Sequence, residues 1–527
     1  MSTRRRDRSV VVIGAGHNGL VAANLLADAG WQVLVLEEQD RPGGAVASDS
    51  DVEPGFVHDT FSSFYPLAAA SRTIARLGLE RYGLVWTHAP AVLGHPLPDG
   101  RWAVLERTPE ATAAGLEELQ PGDGAAWLAL CEEWRRTGPS LVRAILDPFP
   151  PVRAGLSLLP RLRRAGGLAW VRDLVAPVMD LTERRFRGDG ARLLLVGNAL
   201  HADAPLTGPV SGVFGLLMCM LGQTSGFPVP VGGAGRLTDA LVARLRDRGG
   251  EVRVGSAVTR ILTGRRRVVG VEIGGTERLA ASVVVADVSA PALYGGLVEA
   301  AELPSRVQEG MSRFRWDPAT VKVDWALNGP VPWTGAPART PGTVHIGDSP
   351  DALLLTQAQV EAHLVPEHPF LLMGQMTSTD PSRSPAGTES LWAYTHVPQQ
   401  VRGDAGPDGL TGRWDEPELT RMADRMQAEI ERLAPGFGSL VRARRVLGPH
   451  ELERRNRNLV GGATGGGTQA LQQQLIFRPM PGLGRAETPI RGLFLGSSAA
   501  HPGGGVHGAP GANAARAVLA AARLGWI

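Results

Sequence analysis

The chain has 527 residues and a formal net charge of +2, with 43% hydrophobic and 20% charged residues. This length predicts two or more domains, and the near-neutral balance excludes the strong positive field expected of a nucleic-acid-binding protein. The two cysteines, Cys131 and Cys219, have no CxxC spacing, which excludes thiolate zinc sites and disulfide-reductase chemistry. HExxH, GxSxG and P-loop motifs are absent as well, so the sequence predicts no metal site.

The N-terminal segment bears on the compartment. Arg4, Arg5 and Arg6 precede the apolar stretch Val10–Ile13, which leads straight into a glycine motif and therefore predicts a strand rather than a signal peptide. We interpret the arginines as a solvated tail. The apolar run near Gly212 to Leu221 is about half of the ~20 residues that a membrane span needs. We expect a soluble, cytoplasmic protein, and peripheral contact with a membrane surface is compatible with this composition.

The first forty residues predict a βαβ unit. A β-branched strand, Ser9 to Ile13, ends in the GxGxxG motif of residues 14–19, a helix follows to Ala29, and Trp31 to Leu36 forms a second buried strand. Gly14 makes the turn out of the strand, Gly16 lets a pyrophosphate approach the backbone, and Gly19 allows close packing of helix on strand. The helix N-terminus directs its free N–H groups at the phosphates.

An acid completes this dinucleotide motif. Glu37 follows the second strand, at the position where a carboxylate accepts both ribose hydroxyls of an adenosine. A carboxylate there also repels a 2′-phosphate, which disfavours NADP. The alternative, a glycine-rich turn in another α/β fold, explains neither the framing elements nor the acid.

Three blocks resemble the FAD-dependent phytoene desaturase-like proteins of the amine oxidase–carotenoid desaturase superfamily, closest to the phytoene-dehydrogenase-related branch. The first is the RxGG stretch from Arg41 to Gly44, with Ala45 where many relatives carry a second arginine. The second is Pro228 to Ala286, in which the backbone of Val258 would contact the adenine. The third is the glycine-rich run from His501 to Gly511 between a strand ending at Gly496 and a final helix.

The resemblance implies FAD as the cofactor and an α/β fold, in which a Rossmann-like FAD-binding domain is joined to a discontinuous α+β substrate domain. Residues 1–80, 226–295 and 446–527 would form the FAD-binding domain, and residues 81–225 and 296–445 the substrate-binding domain with a helical region. The motif and the resemblance together predict these cofactor-binding residues: Gly14, Ala15, Gly16, Asn18, Gly19, Glu37, Glu38, Arg41, Gly43, Gly44, Val258, Gly496, Gly504, Gly505 and Val506.

Two residues are candidates for catalysis. Lys322 is the only lysine among the 54 basic residues, and lysines near the flavin occur in amine oxidases of this superfamily. The interpretation we favour is an ion pair with Asp324 on the same strand face. His507 in the glycine-rich run is the second candidate, as a base or as a packing residue. Trp392, Tyr394 and His396 alternate along one strand and are candidates for the cavity wall.

Three functions agree with these patterns. The leading hypothesis is a dehydrogenase or desaturase that moves hydride from a C–H bond of an apolar, isoprenoid-like substrate to flavin. The alternatives are a flavin amine or amino-acid oxidase with an aromatic cage, and a flavin-bearing binding protein of low turnover. No second GxGxxG motif is framed by strand and helix, so we expect oxygen, a quinone or another acceptor to reoxidise the flavin rather than a nicotinamide domain.

Overall fold

The computed structural model describes residues 8–527, apart from the side chains of Ala154 and Leu159. The cluster from Arg4 to Arg6 lies outside these residues. Among the described residues, no helix has the length and apolar character needed to cross a membrane.

A parallel five-stranded sheet is assembled from three distant parts of the chain. Its strands, in spatial order, are Leu493–Leu495, Val284–Ala286, Ser9–Ile13, Gln32–Leu36 and Glu251–Arg253. The register pairs Val11 with both Val284 and Leu34. Because the strands are parallel, their carboxyl ends, and the loops that follow them, share one edge of the sheet.

Both faces of this sheet are covered, which explains the unbroken apolar composition of its strands. Val10 and Val12 pack against helices on one face, whereas Val11 and Ile13 face a three-stranded antiparallel sheet on the other. The helices are His17–Asp28, Gly235–Asp247 and Ala509–Arg523. The antiparallel strands are Val258–Thr263, Val268–Ile273 and Glu277–Ala280.

A second, seven-stranded sheet is built mainly from the part of the chain predicted to bind substrate. Its strands, in spatial order, are Val441–Leu447, Ala319–Leu327, Glu389–Val397, Leu371–Gln375, Pro341–Ile346, Ala91–Pro96 and Trp102–Leu105. All neighbours are antiparallel except Pro341–Ile346 and Ala91–Pro96. Val321, Val323 and Trp325 pack in a core with the helix Glu416–Leu433. The alternate residues, including Lys322, face the opposite side.

A helical region packs against this second sheet around a core that contains Trp127 and Trp170. Its helices are Pro109–Leu119, Asp123–Leu146, Val152–Arg164, Leu168–Val175, Val178–Arg185, Asp189–Ala199 and Ser211–Thr224.

Short paired strands and helices complete the fold. The paired strands are Ser48–Asp49 with His58–Asp59, Trp86–Thr87 with Val229–Pro230, and Leu364–Val365 with Gly403–Asp404. The remaining helices are Pro66–Ala70, Arg72–Leu77, Ala290–Ala292, Ser305–Ser312, Pro350–Glu361, Met376–Thr379, Phe437–Leu440 and Pro449–Arg455. The predicted α/β fold with a Rossmann-like parallel sheet is confirmed. The domain boundaries stay a prediction.

Candidate active site

A continuous cavity of about 850 Å³ runs from the carboxyl edge of the parallel sheet to the open face of the seven-stranded sheet. Gly14, Gly16 and Glu37 lie in its wall at the first end. Lys322 and Trp392 lie in its wall at the second. The cavity therefore joins the predicted dinucleotide site to the predicted substrate half.

The turn after the first strand forms a cradle that excludes larger side chains. Gly14 has a φ of +93° and donates its N–H to the Leu36 carbonyl at 2.8 Å. A Cβ at Gly16 would lie 2.7 Å from the Asp287 carboxylate, and one at Gly19 would overlap the Gly14 carbonyl oxygen. Gly16 has no side chain to cap the helix His17–Asp28; Asp287 accepts the Gly19 N–H, and the amides that precede Gly19 in this turn can face an anion.

Glu37 lies in this cavity with its carboxylate held in place. It accepts the Ala15 N–H at 2.7 Å and the Gln39 N–H at 3.0 Å. Burial raises the pKa of Glu37, and these two amide donors oppose that effect. The fixed carboxylate oxygens can accept hydroxyl donors of a ribose.

The two ends of the chain meet at the cradle. The Gly43 N–H donates to the Ala15 carbonyl at 2.9 Å, and a Cβ at Gly511 would overlap the Asn18 carbonyl. A ring nitrogen of His17 lies 3.3 Å from the Gly505 carbonyl oxygen. Burial lowers the pKa of His17 to about 4, so the neutral ring can donate to that carbonyl. The two glycine-rich loops therefore face one ligand together.

The residues predicted to bind the cofactor fall into three groups by their position relative to the cavity. Ten line the cavity: Gly14, Gly16, Asn18, Glu37, Glu38, Gly44, Val258, Gly504, Gly505 and Val506. Ala15, Gly19, Gly43 and Gly496 lie outside this lining and support it from behind. Arg41 is exposed and outside the lining, so its proposed contact with the flavin has no support in this geometry. The buried Oδ1 of Asn18 has no hydrogen-bond partner among the residues that the structure describes, which fits a polar ligand in the cradle.

Asp287 lies in this site although the sequence motifs did not predict it as a site residue. Its Oδ2 accepts the Gly19 N–H at 2.8 Å, and burial raises its pKa to about 7. Its carbonyl accepts the side-chain amide of Asn458, which also lines the cavity. A signal was present, because Asp287 directly follows the strand Val284–Ala286, and parallel strands end at the same edge of their sheet.

Lys322 forms the predicted ion pair with Asp324 on the open face of the second sheet, and this interpretation is confirmed. Its Nζ also donates to the Asp59 carbonyl at 3.0 Å and lies 5.9 Å from the centre of the Trp392 ring. Arg445 binds the other oxygen of Asp324 at 2.7 Å. Burial lowers the pKa of Lys322, whereas the attraction of Asp324 raises it.

His507 lies in the cavity wall near the second glycine-rich loop. Its Nδ1 accepts the Ala509 N–H at 3.1 Å, so the neutral ring carries its proton on Nε2. Burial lowers the pKa of His507 to about 3. A ring with so low a pKa is a weak base near neutral pH.

The substrate half of the cavity is mainly apolar and aromatic. Trp392, Tyr394 and His396 share one strand face and line it, as predicted. The Trp392 and Tyr394 rings are stacked with centroids 5.9 Å apart, which leaves no room for a substrate between them. Further apolar lining comes from Phe64, Ile145, Leu146, Phe214, Leu217, Met218, Phe227 and Leu372. This wall can exclude water from an apolar substrate.

The sequence profile of the family described as flavin containing amine oxidoreductase matches residues 19–377. A mouse (Mus musculus) protein named "Pyridine nucleotide-disulfide oxidoreductase domain-containing protein 2" is 28% identical over 97% of this chain and 93% of its own length. The "zeta-carotene-forming phytoene desaturase" of Myxococcus xanthus is 27% identical over 96% of this chain and 92% of its own length.

The structure of cyclohexylamine oxidase from Brevibacterium oxydans aligns with a TM-score of 0.59 at 16% identity, covering 98% of this chain and 100% of that chain. That likeness confirms the fold, and the family profile confirms the resemblance to the amine oxidase–carotenoid desaturase superfamily. The chain belongs to the flavin-containing amine oxidoreductase family and is an FAD-dependent oxidoreductase.

Proposed function

We propose that this chain is a dehydrogenase or desaturase that removes hydride from a C–H bond of a small substrate with a mainly apolar body. The observation that carries the proposal is the continuity of the dinucleotide cradle with the aromatic and apolar wall around Trp392 and Tyr394. A wall of this kind holds a substrate by shape and burial rather than by charge.

Each end of the cavity has its own task in this proposal. The free amides after Gly16 bind the diphosphate, Glu37 binds the adenosine ribose, and the Val258 backbone contacts the adenine. The loop containing Gly504 and Gly505 lines the flavin end. FAD, when bound, supplies the acceptor for the hydride.

The residues of the chain orient the substrate and keep water out. We infer that Lys322 holds its proton on Nζ, because Asp324 pairs with it, and that His507 holds its proton on Nε2. Both would then serve as hydrogen-bond donors rather than bases. Oxygen or a quinone is the proposed acceptor of the electrons afterwards.

The test uses the purified holoprotein under anaerobic conditions, with the visible absorbance of its flavin as the readout. Bleaching by an isoprenoid, with no response to amines, supports the proposal. Bleaching by amines alone supports an oxidase instead. A flavin reduced by dithionite but by no metabolite of either class indicates a binding protein of low turnover and contradicts the proposal.

An amine oxidase is the second candidate because two carboxylates face the substrate half. Asp203 and Asp317 both line the cavity, and a carboxylate can pair with an ammonium group. Burial and the neighbouring Asp317 raise the pKa of Asp203 to about 6. Hydrogen peroxide formed on addition of an amine would favour this candidate.

A further inference from the structure

We propose that the cavity contains a subsite, formed by Thr320 and His396, for an uncharged hydroxyl or carbonyl oxygen carried by an otherwise apolar substrate. This inference rests on the proposed function and names the substrate class that the site takes: an oxygenated apolar molecule rather than a hydrocarbon.

Thr320 supplies the first observation. It is 3% exposed, lines the cavity, and its hydroxyl has no hydrogen-bond partner among residues 8–527. It lies two residues before Lys322, so both side chains point from the strand Ala319–Leu327 to the same face. The Thr320 side chain therefore lies on the face of the strand that lines the cavity.

His396 supplies the second observation, from the neighbouring strand. Its Cα is paired with that of Thr320, it lines the cavity, and neither of its ring nitrogens makes a hydrogen bond of normal geometry. Two adjacent strands thus present, side by side, a hydroxyl without a partner among the described residues and an imidazole whose contact with the Ala319 carbonyl lacks normal hydrogen-bond geometry. A neutral imidazole and a hydroxyl each offer one donor and one acceptor, which matches an alcohol or a carbonyl.

The neighbouring charges already have partners. The Asp317 carboxylate accepts three backbone amides, those of Thr464, Gly465 and Gly467. Asp203 accepts the Gln469 amide. Burial lowers the pKa of the Arg478 guanidinium to about 10, and the nearby Asp317 and Asp203 carboxylates oppose that effect, so Arg478 balances part of their charge. An ammonium head group would therefore compete with the amide donors that these carboxylates already accept.

Burial keeps His396 neutral. Burial lowers the pKa of His396, and the Asp317 carboxylate and the Ala319 carbonyl oppose that effect only in part. A neutral ring binds an uncharged oxygen without the cost of burying a new charge.

The strand register also gives the direction of the substrate. The pair Thr320–His396 is followed by Lys322–Tyr394 and then by Asp324–Trp392. Each step of two residues along a strand is roughly 6.5 Å. A head group at Thr320 therefore places the apolar body along Tyr394 and Trp392.

Other polar atoms agree with this assignment. The Thr343 hydroxyl and the Asn198 side-chain oxygen also line the cavity, are buried, and have no protein partner. A hydrocarbon would leave every one of these atoms unpaired, and leaving a buried polar group unpaired opposes binding. Within the part of the chain that the structure describes, Thr320 and His396 are the pair of such side chains that meet on paired strands.

The experiment measures binding of three probes with one carbon skeleton to the FAD-loaded protein, through perturbation of the flavin spectrum. The probes are farnesene, farnesol and farnesylamine. We expect farnesol to bind tighter than farnesene by on the order of tenfold. Thr320→Val, which keeps the shape, and His396→Leu should each remove most of this preference by weakening the binding of farnesol and not that of farnesene. Thr320→Ser should retain the preference.

Equal affinity for farnesol and farnesene would overturn the subsite. A Thr320→Val variant that loses affinity for both probes alike would also overturn it. Preference for farnesylamine would overturn its neutral character. Failure of the proposed function would give a different result: no terpenoid would bleach the flavin, although amines would.

Discussion

At the residue scale, Asp287 combines burial with a position beside the phosphate cradle. Burial raises its pKa from 3.8 to about 7. The folded chain thus holds this proton more tightly than the unfolded chain, so the carboxyl stabilises the fold most below its unfolded pKa. That stabilisation is lost as the pH rises toward 7. Asp287→Asn can still accept the Gly19 amide but carries no such pH dependence.

We therefore expect the unfolding free energy of FAD-free Asp287→Asn, relative to the FAD-free wild type, to increase by roughly 2 kcal/mol between about pH 5 and about pH 8. Melting temperatures across this pH range measure the difference. Asp239→Asn, at an exposed carboxylate on the helix Gly235–Asp247, is the control and should show no such trend. A difference in unfolding free energy between the Asp287 variant and wild type that stays constant with pH would contradict the raised pKa of Asp287.

Residues were predictable from the sequence where a motif fixes both position and chemistry. Glu37 and the glycines of residues 14–19 occupy the predicted cradle because strand, turn and helix are contiguous in the chain. The role of Asp59 could not be predicted, because its partners lie on remote segments of the chain. Its carbonyl accepts a hydrogen bond from Lys322, and its carboxylate binds Arg383 at 3.0 Å. The pairing of Thr320 with His396 likewise exists only once two distant strands adopt their register.

At the element scale, the C-terminal helix Ala509–Arg523 is positioned by its close approach to the phosphate cradle. A Cβ at Gly511 would overlap the Asn18 carbonyl, so any side chain there must separate this helix from the first one. We expect Gly511→Ala to weaken FAD binding by tenfold or more, on the order of 1.4 kcal/mol, and to lower the melting temperature.

The matched control for Gly511→Ala is Gly115→Ala, also inside a helix, where an added Cβ meets no atom within 4 Å. Alanine should stabilise that helix by about 0.5 to 1 kcal/mol. FAD titration of the FAD-free proteins and their melting curves make the comparison. Unchanged FAD affinity in the Gly511 variant would show that contact between the two helices does not shape the cradle.

Elements were predicted to within a few residues where periodicity was clear, as in the first helix, expected from Leu20 and observed from His17. The second strand, expected over Trp31 to Leu36, is one residue shorter, Gln32–Leu36. The order in which the strands pair was not predictable, because seven strands with a similar alternation of apolar and polar residues can be arranged in a sheet in many orders. Only long-range packing selects the order that places Glu389–Val397 beside Ala319–Leu327.

At the scale of the whole molecule, an exposed apolar surface adjoins the cavity, which bears on the expected membrane contact. Leu168 is 87% exposed and Leu156 is 65% exposed, on the two helices that follow Asp123–Leu146. Ile145 and Leu146, at the end of that helix, line the cavity. Four exposed arginines share the helix of Leu156: Arg153, Arg161, Arg163 and Arg164. Exposed leucines beside clustered arginines suit an anionic lipid surface.

We expect the holoprotein to co-sediment with vesicles of phosphatidylglycerol and phosphatidylcholine, and to bind vesicles of phosphatidylcholine alone less strongly. Leu156→Glu and Leu168→Glu should each weaken vesicle binding by about tenfold. Each substitution removes a leucine side chain that the lipid would bury and adds a negative charge that the anionic lipid repels. Leu355→Glu is the matched control, because Leu355 is 60% exposed on the separate helix Pro350–Glu361. An equal loss in the Leu355 variant, or no binding by the unmodified protein, would contradict membrane contact through the surface that contains Leu156 and Leu168.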